Sequence, residues 1–175
     1  MHFMMTPSNG PEAFHEAEAD FKEIYEWVLN LEVPKYPHEI DEALAKKGEI
    51  AFNNNCADCH GIYGENQEWP EVIVPLEDIG TNRARLDSLT PAMRAGYEMG
   101  WFSNYGEKKS IHDPGGYVAQ PLNGIWATAP YLHNGSVPTL WHMLHPEERP
   151  VVWKRTEDGY DTQRVGLEVA EFEDL

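Results

Sequence analysis

Apolar residues recur at three- and four-residue steps from Glu12 to Leu31, where Phe14, Ala17, Phe21, Ile24 and Val28 share one helical face and acids cover the other. The run Leu31-Glu-Val-Pro34-Lys-Tyr-Pro37 ends that helix, because neither proline can continue it. Asp41 then reads as the N-cap of a second helix, with Leu44, Gly48 and Phe52 on one face. Gly48 leaves room for another helix backbone, Phe52 fills the space beside it, and Asn53-Asn54-Asn55 is expected to fray the helix end. From Gly61 to Ala84 the pattern turns irregular. Val72, Val74, Leu76 and Ile79 are apolar, yet Pro70 and Pro75 favour a covering loop over a central strand. Arg85 to Trp101 reads as helical, with Thr90-Pro91 starting its main part. Ser103 to Gly116 is a polar loop that ends in the turn Asp113-Pro-Gly-Gly. Thr139 caps a short helix running to about His145, and Asp158-Gly159 marks a turn or one small hairpin within Trp153 to Asp161. The polar start, Met1 to Pro11, is expected to be disordered, and the acidic tail after Leu167 to fray.

One stretch carries chemistry by itself. Cys56-Ala57-Asp58-Cys59-His60 places two thiols two residues apart with an imidazole directly after the second, the pattern of a c-type haem attachment site. The thiols become thioether links to the haem vinyl groups, and His60 takes one axial position on iron. A thioredoxin-like pair expects a preceding strand, whereas the flank from Asp41 to Asn55 is helical. A zinc site needs two more soft ligands nearby, and the chain has no third cysteine. The motif therefore reads as holding one covalently bound haem c per chain.

Length and charge narrow the class. At 175 residues the chain is one domain, or one small domain plus an appendage, and 41% hydrophobic residues suffice for a core. The net charge of −17, from 30 acidic against 13 basic residues, argues against nucleic acid and against anionic membranes. An acidic surface can steer a basic redox partner, or simply keep the protein soluble. No stretch of 18 or more apolar residues exists to span a membrane. Met1-His2-Phe3-Met4-Met5 lacks the basic and apolar regions of a secretory signal and reads as an expression start or the remnant of a longer chain.

A second informative stretch runs from Gln120 to Pro150. At its centre stands Ala129-Pro130-Tyr131-Leu132-His133-Asn134-Gly135-Ser136, followed by Val137-Pro138-Thr139-Leu140. Together with Phe52 to Gly61, this stretch resembles the C-terminal haem domain of the di-haem cytochrome c peroxidase/MauG superfamily, nearest to its rubber-oxygenase-like branch. The resemblance covers roughly Asp41 to Gly166. It implies an all-α fold, a cytochrome c-like bundle around one haem with long loops and little or no sheet. It also implies a periplasmic or otherwise extracytoplasmic setting for covalent haem attachment. Residues 1–37 are expected as an N-terminal extension with one helix, resembling the last helix of a preceding domain, and residues 38–175 as the haem domain. The departure is as telling: relatives carry two haems, and this chain has one Cys-x-x-Cys-His.

Function then turns on the ligand opposite His60, since iron with two protein ligands passes electrons and iron with an open position binds oxygen or peroxide. His133 is the first choice, at a site that resembles the distal histidine of the electron-transfer haem in rubber oxygenases, flanked by apolar Tyr131, Leu132 and Val137. Peroxidase relatives place a methionine on the following helix, which makes Met143 the alternative, with His145 and His142 close by. His2, His15, His38 and His112 read as ordinary surface or core rings. Trp126, Tyr131 and Trp141 are candidates to pack on the porphyrin or, equally, core aromatics. A backbone carbonyl from the Pro-rich loop is a candidate acceptor to fix the His60 tautomer. The expected function is a monohaem cytochrome that transfers single electrons to a partner protein or a second haem domain, an electron carrier rather than an enzyme on its own. The alternatives are the haem domain of a truncated di-haem peroxidase or oxygenase, and a ligand-sensing module.

Overall fold

The computed structural model describes residues 11–32, 34–99 and 114–173. The expectations for Met1–Gly10, for Ser103 to Asp113 and for Trp101 lie outside them, as do His2 and His112. The chain divides into two compact units, Met1–Glu32 with Asn53–Pro121, and Val33–Phe52 with Leu122–Leu175.

In the first unit the amphipathic N-terminal stretch forms α1 (Pro11–Glu16) and α2 (Glu18–Leu29), parted at Ala17. Phe14 stacks on Phe21 across that break at 6.0 Å. Ile24, Trp27, Val28 and Leu29 stay exposed on α2. The expected covering loop carries a short strand, β1 (Ile73–Pro75), paired antiparallel with β2 (Gly116–Val118). Pro75 is tolerated because it ends the strand, where no further ladder N–H is needed. Leu76 is buried at the start of α5 (Leu76–Ile79). The helix expected from Arg85 is interrupted: α6 (Ala84–Asp87) stops, and α7 (Pro91–Glu98) restarts under a Thr90 cap that accepts from Met93 N at 3.3 Å.

α3 (Glu42–Asn55) begins as its sequence demands, with Asp41 Oδ1 accepting from Leu44 N at 2.9 Å. Two expectations fail here. The three asparagines stay helical to Asn55, and a Cβ at Gly48 would meet nothing within 4 Å, so among the described residues no helix packs closely there.

The second unit overturns the all-α expectation. Its largest element is an antiparallel hairpin of β3 (Val152–Asp161) and β4 (Gly166–Phe172), so with β1 and β2 the described chain is mixed α and β. The turn lies at residues 162–165 rather than at Asp158-Gly159, because Asp161 Oδ1 accepts from both Gln163 N and Arg164 N at 2.8 Å. Asp158-Gly159 instead sits inside β3, where the register slips between Arg155 and Tyr160. The tail after Leu167 pairs as β4 instead of fraying, with Phe172 opposite Val152. The hairpin docks on the start of α8 (Leu140–Leu144) through Leu140 N to Val165 O at 2.9 Å, Trp141 N to Arg164 O at 3.0 Å and Leu167 N to Pro138 O at 2.9 Å. Tyr131, Val137, Pro138, Thr139 and His142 are buried around that junction.

Candidate functional site

The Cys-x-x-Cys-His motif occupies one tight turn. After α3 the backbone continues directly into α4 (Ala57–His60), with Cys59 N and His60 N donating to Cys56 O at 3.2 and 2.9 Å. Both cysteines are free thiols and half-buried. Gly61 follows at φ +82°, and a side chain there would collide with the carbonyl of Glu68. That close approach lets Ile62 and Glu68 exchange backbone hydrogen bonds at 2.9 and 3.1 Å, folding the next loop against the motif. The space left there, about 180 Å³, is lined by Ala57, Asp58, Gly61, Ile62, Glu68 and Pro70.

His60 is oriented by the same unit. Its Nδ1 lies 2.9 Å from the carbonyl oxygen of Gln120. A carbonyl can only accept, so Nδ1 carries the ring proton and Nε2 keeps its lone pair for a metal. Gln120 is set in place by the end of β2, where Trp69 Nε1 donates to Ala119 O at 2.8 Å. Tyr63 donates to His60 O at 2.8 Å, which satisfies a carbonyl left over at the end of α4. Two accessible thiols and an imidazole with a free Nε2 lone pair fit a covalently attached haem. When bound, that group supplies one-electron chemistry at iron. Among the described residues there is no cluster of three or more His, Cys, Asp or Glu side chains suited to a metal ion.

His133 belongs to the second unit, on a loop closed at its base. Tyr131 and Val137 pair as an antiparallel bridge, with Tyr131 N to Val137 O at 2.7 Å and the return bond at 3.3 Å. Both are buried, so the base is fixed, while Gly135 N bonds Leu132 O at 3.1 Å and turns the chain at His133-Asn134. Asn134 Oδ1 accepts from Ser136 N at 3.2 Å. The imidazole thus stands exposed at the tip of a short, braced turn.

The other candidates separate. His142 is 1% exposed and committed to the core: Thr139 Oγ1 accepts from His142 N at 3.2 Å and pairs with Nδ1 at 2.9 Å, while Nε2 faces Glu171 Oε1 at 3.8 Å. Burial, and then the Arg164 charge, push its pKa down and keep the ring neutral. His145 stacks on Trp141 at 3.8 Å and bonds Trp141 O through Nδ1 at 3.0 Å. Met143 is half-buried on α8, and Arg149 holds the carbonyls of His142 and Met143 at 2.7 and 3.0 Å.

The aromatic residues divide as well. Tyr131 is a core ring whose hydroxyl donates to Ile125 O at 2.9 Å, and burial with the nearby Tyr160 raises its pKa to about 12. Trp126 lies edge-on to Tyr36 at 5.6 Å and to Tyr160 at 6.3 Å, and His38 stacks on Tyr160 at 5.7 Å. The acceptor on His60 is a backbone carbonyl, the kind of group expected, but that Gln120 supplies it was not visible from sequence, since a carbonyl has no residue signature.

A family described as RoxA-like, cytochrome c-like matches residues 116–154. The match takes in Trp126, His133, His142, Met143 and His145, and Cys56 to His60 lie outside it. Uncharacterized protein y4iM of Sinorhizobium fredii (strain NBRC 101917 / NGR234) is 36% identical over an alignment that covers 75% of this chain and 35% of that relative. Uncharacterized protein y4iJ of the same organism is 42% identical over 81 residues, 46% of this chain and 13% of that relative. The chain thus spans about a third of the length of the first relative and less of the second. In residues 116–154 the chain is similar to a cytochrome c-like domain, and this supports a haem-binding redox domain.

Proposed function

We propose that residues 38–175 form a monohaem c-type cytochrome domain that transfers single electrons, with the haem attached at Cys56 and Cys59 and His60 as one axial ligand. The observation that carries this reading is the Gln120 carbonyl on His60 Nδ1, which leaves Nε2 available to a metal on the same turn as two free thiols. His133 is proposed as the second axial ligand, supported by its braced, exposed turn and by the commitment of His142 to the core. Two imidazoles favour ferric iron and a low potential, as suits a carrier. A periplasmic or otherwise extracytoplasmic setting is part of the proposal, since covalent haem attachment is expected there, and the acidic surface suits a basic redox partner.

Visible and near-infrared spectra of the ferric and ferrous protein, with carbon monoxide added to the reduced form, test the reading. Low-spin spectra, no methionine–iron charge-transfer band and no response to carbon monoxide are expected, with His133→Ala opening the iron to carbon monoxide. A charge-transfer band would move the ligand to Met143. High-spin iron in the unaltered protein would sink the carrier reading.

A second reading is favoured by the coverage of y4iM: the chain corresponds to about a third of that protein, so it can be the haem module of a larger di-haem peroxidase or oxygenase. A parent gene without a second Cys-x-x-Cys-His upstream of Phe14 would rule it out.

A further inference from the structure

In the second unit, Trp126, Ala129, Arg155, Gly159, Tyr160 and Leu167 line an open cavity of about 470 Å³, a volume in the range of organic ligand sites. Its aromatic walls are set before any ligand arrives. Trp126 and Tyr160 stand at 81° to one another, Tyr160 donates to Trp126 O at 3.1 Å, and Tyr36 packs on both rings. Such an edge-to-face pair offers a flat slot to a third ring. Ala129 and Leu167 add apolar surface.

The charged member of the lining is Arg155. Its Nη2 lies 3.6 Å from where a Cβ on Gly159 would stand, which sets the guanidinium beside the backbone of another lining residue. The Arg155 guanidinium forms no ion pair or hydrogen bond with a described residue, in a chain with 30 acidic and 13 basic residues. Other arginines are engaged: Arg164 with Glu171 at 3.0 Å, Arg83 with Asp87 at 3.1 Å, and Arg149 with two carbonyls. A guanidinium fork left open beside apolar walls matches a carboxylate in a bidentate pair.

We infer that this cavity binds a carboxylate carried on a flat conjugated ring, the ring against Trp126 and Tyr160 and the carboxylate on Arg155. The ligand is a free aromatic acid, so the inference stands apart from the proposed haem reading. Calorimetric titration of the full chain with naphthoate tests it. Naphthoate is expected to bind, Arg155→Gln to weaken binding by about tenfold or more, Arg155→Lys to recover part of it, and neutral naphthylmethanol to bind as weakly as naphthoate binds the Arg155→Gln variant. Naphthoate binding that is equal in the Arg155→Gln variant, or no binding to the full chain, would overturn the inference.

Discussion

The Nδ1 atom of His60 lies 2.9 Å from the carbonyl oxygen of Gln120, sixty residues along the chain, so the orientation of the motif histidine depends on the end of β2 rather than on the motif itself. Because the acceptor is backbone, the identity of residue 120 should not matter. Gln120→Ala in the haem-loaded protein is expected to leave the low-spin spectrum and midpoint potential unchanged, whereas His60→Ala loses the axial ligand and turns the iron high-spin. A spectrum altered by Gln120→Ala would show that the side chain, not the carbonyl, sets the tautomer.

Thr90 and Thr139 are both N-caps, but only one of them is also a core residue. Thr90 is exposed, and its hydroxyl accepts from Met93 N at 3.3 Å. Thr139 is 1% exposed, caps α8 through His142 N at 3.2 Å and holds the buried His142 ring at 2.9 Å. Thr90→Ala should cost about 1 kcal/mol or less, the usual loss of a cap. Thr139→Val should cost about 2–3 kcal/mol, since it also strands a buried ring nitrogen. Urea midpoints of the two variants give the comparison, and equal losses would count against the second role of Thr139.

Glycine substitutions at positions 48 and 166 should have opposite signs. At Gly48, in the interior of α3, an added methyl meets nothing within 4 Å, so Gly48→Ala is expected to stabilise by about 0.5–1 kcal/mol through the unfolded chain. Gly166 sits at φ +157°, and a Cβ there would lie 2.5 Å from Pro138 O and 2.6 Å from Thr139 Cα. Gly166→Ala must push the hairpin off α8 and is expected to cost about 3 kcal/mol or more. Thermal unfolding of both variants reads the signs directly.

Features written in contiguous residues were legible in the sequence. The Cys56–His60 pattern is local because its two thiols and its imidazole sit on one turn, and the caps Asp41, Thr90 and Thr139 are local because they serve N–H groups three residues on. A small hairpin within Trp153 to Asp161 was expected, but its length and its turn were misplaced for a physical reason. The slip between Arg155 and Tyr160 breaks the alternation of β3, and Asp158-Gly159, a turn pair elsewhere, serves that irregularity while Asp161 makes the turn. The continuity of α3 into the motif was also misjudged, since asparagine's weak helix propensity is outweighed once Cys56 O accepts from the following turn. The Gln120 contact and the Arg155 cavity depend on residues far apart in sequence, which a single chain read in order does not connect.

His142 makes the second unit acid-sensitive. Burial and then Arg164 push its pKa below the ordinary 6.5, while Glu171, Glu148 and Asp161 pull the other way without prevailing. Thr139 Oγ1 lies 2.9 Å from Nδ1 and Glu171 Oε1 3.8 Å from Nε2, yet the cost of charging a buried ring outweighs both. With the folded pKa depressed, both states are neutral above pH 6.5, and the unfolded chain gains its proton first as pH falls below that value. The stability attached to this residue is therefore fully present above about pH 6.5 and is lost as the pH falls towards the folded pKa. Urea midpoints measured at stepped pH should decline on the acid side for the unaltered chain, and His142→Gln should start lower but decline less. Glu171→Gln, which removes a charge favouring the protonated ring, should carry the acid loss to lower pH. Parallel profiles for the unaltered chain and His142→Gln would assign the acid sensitivity to another group.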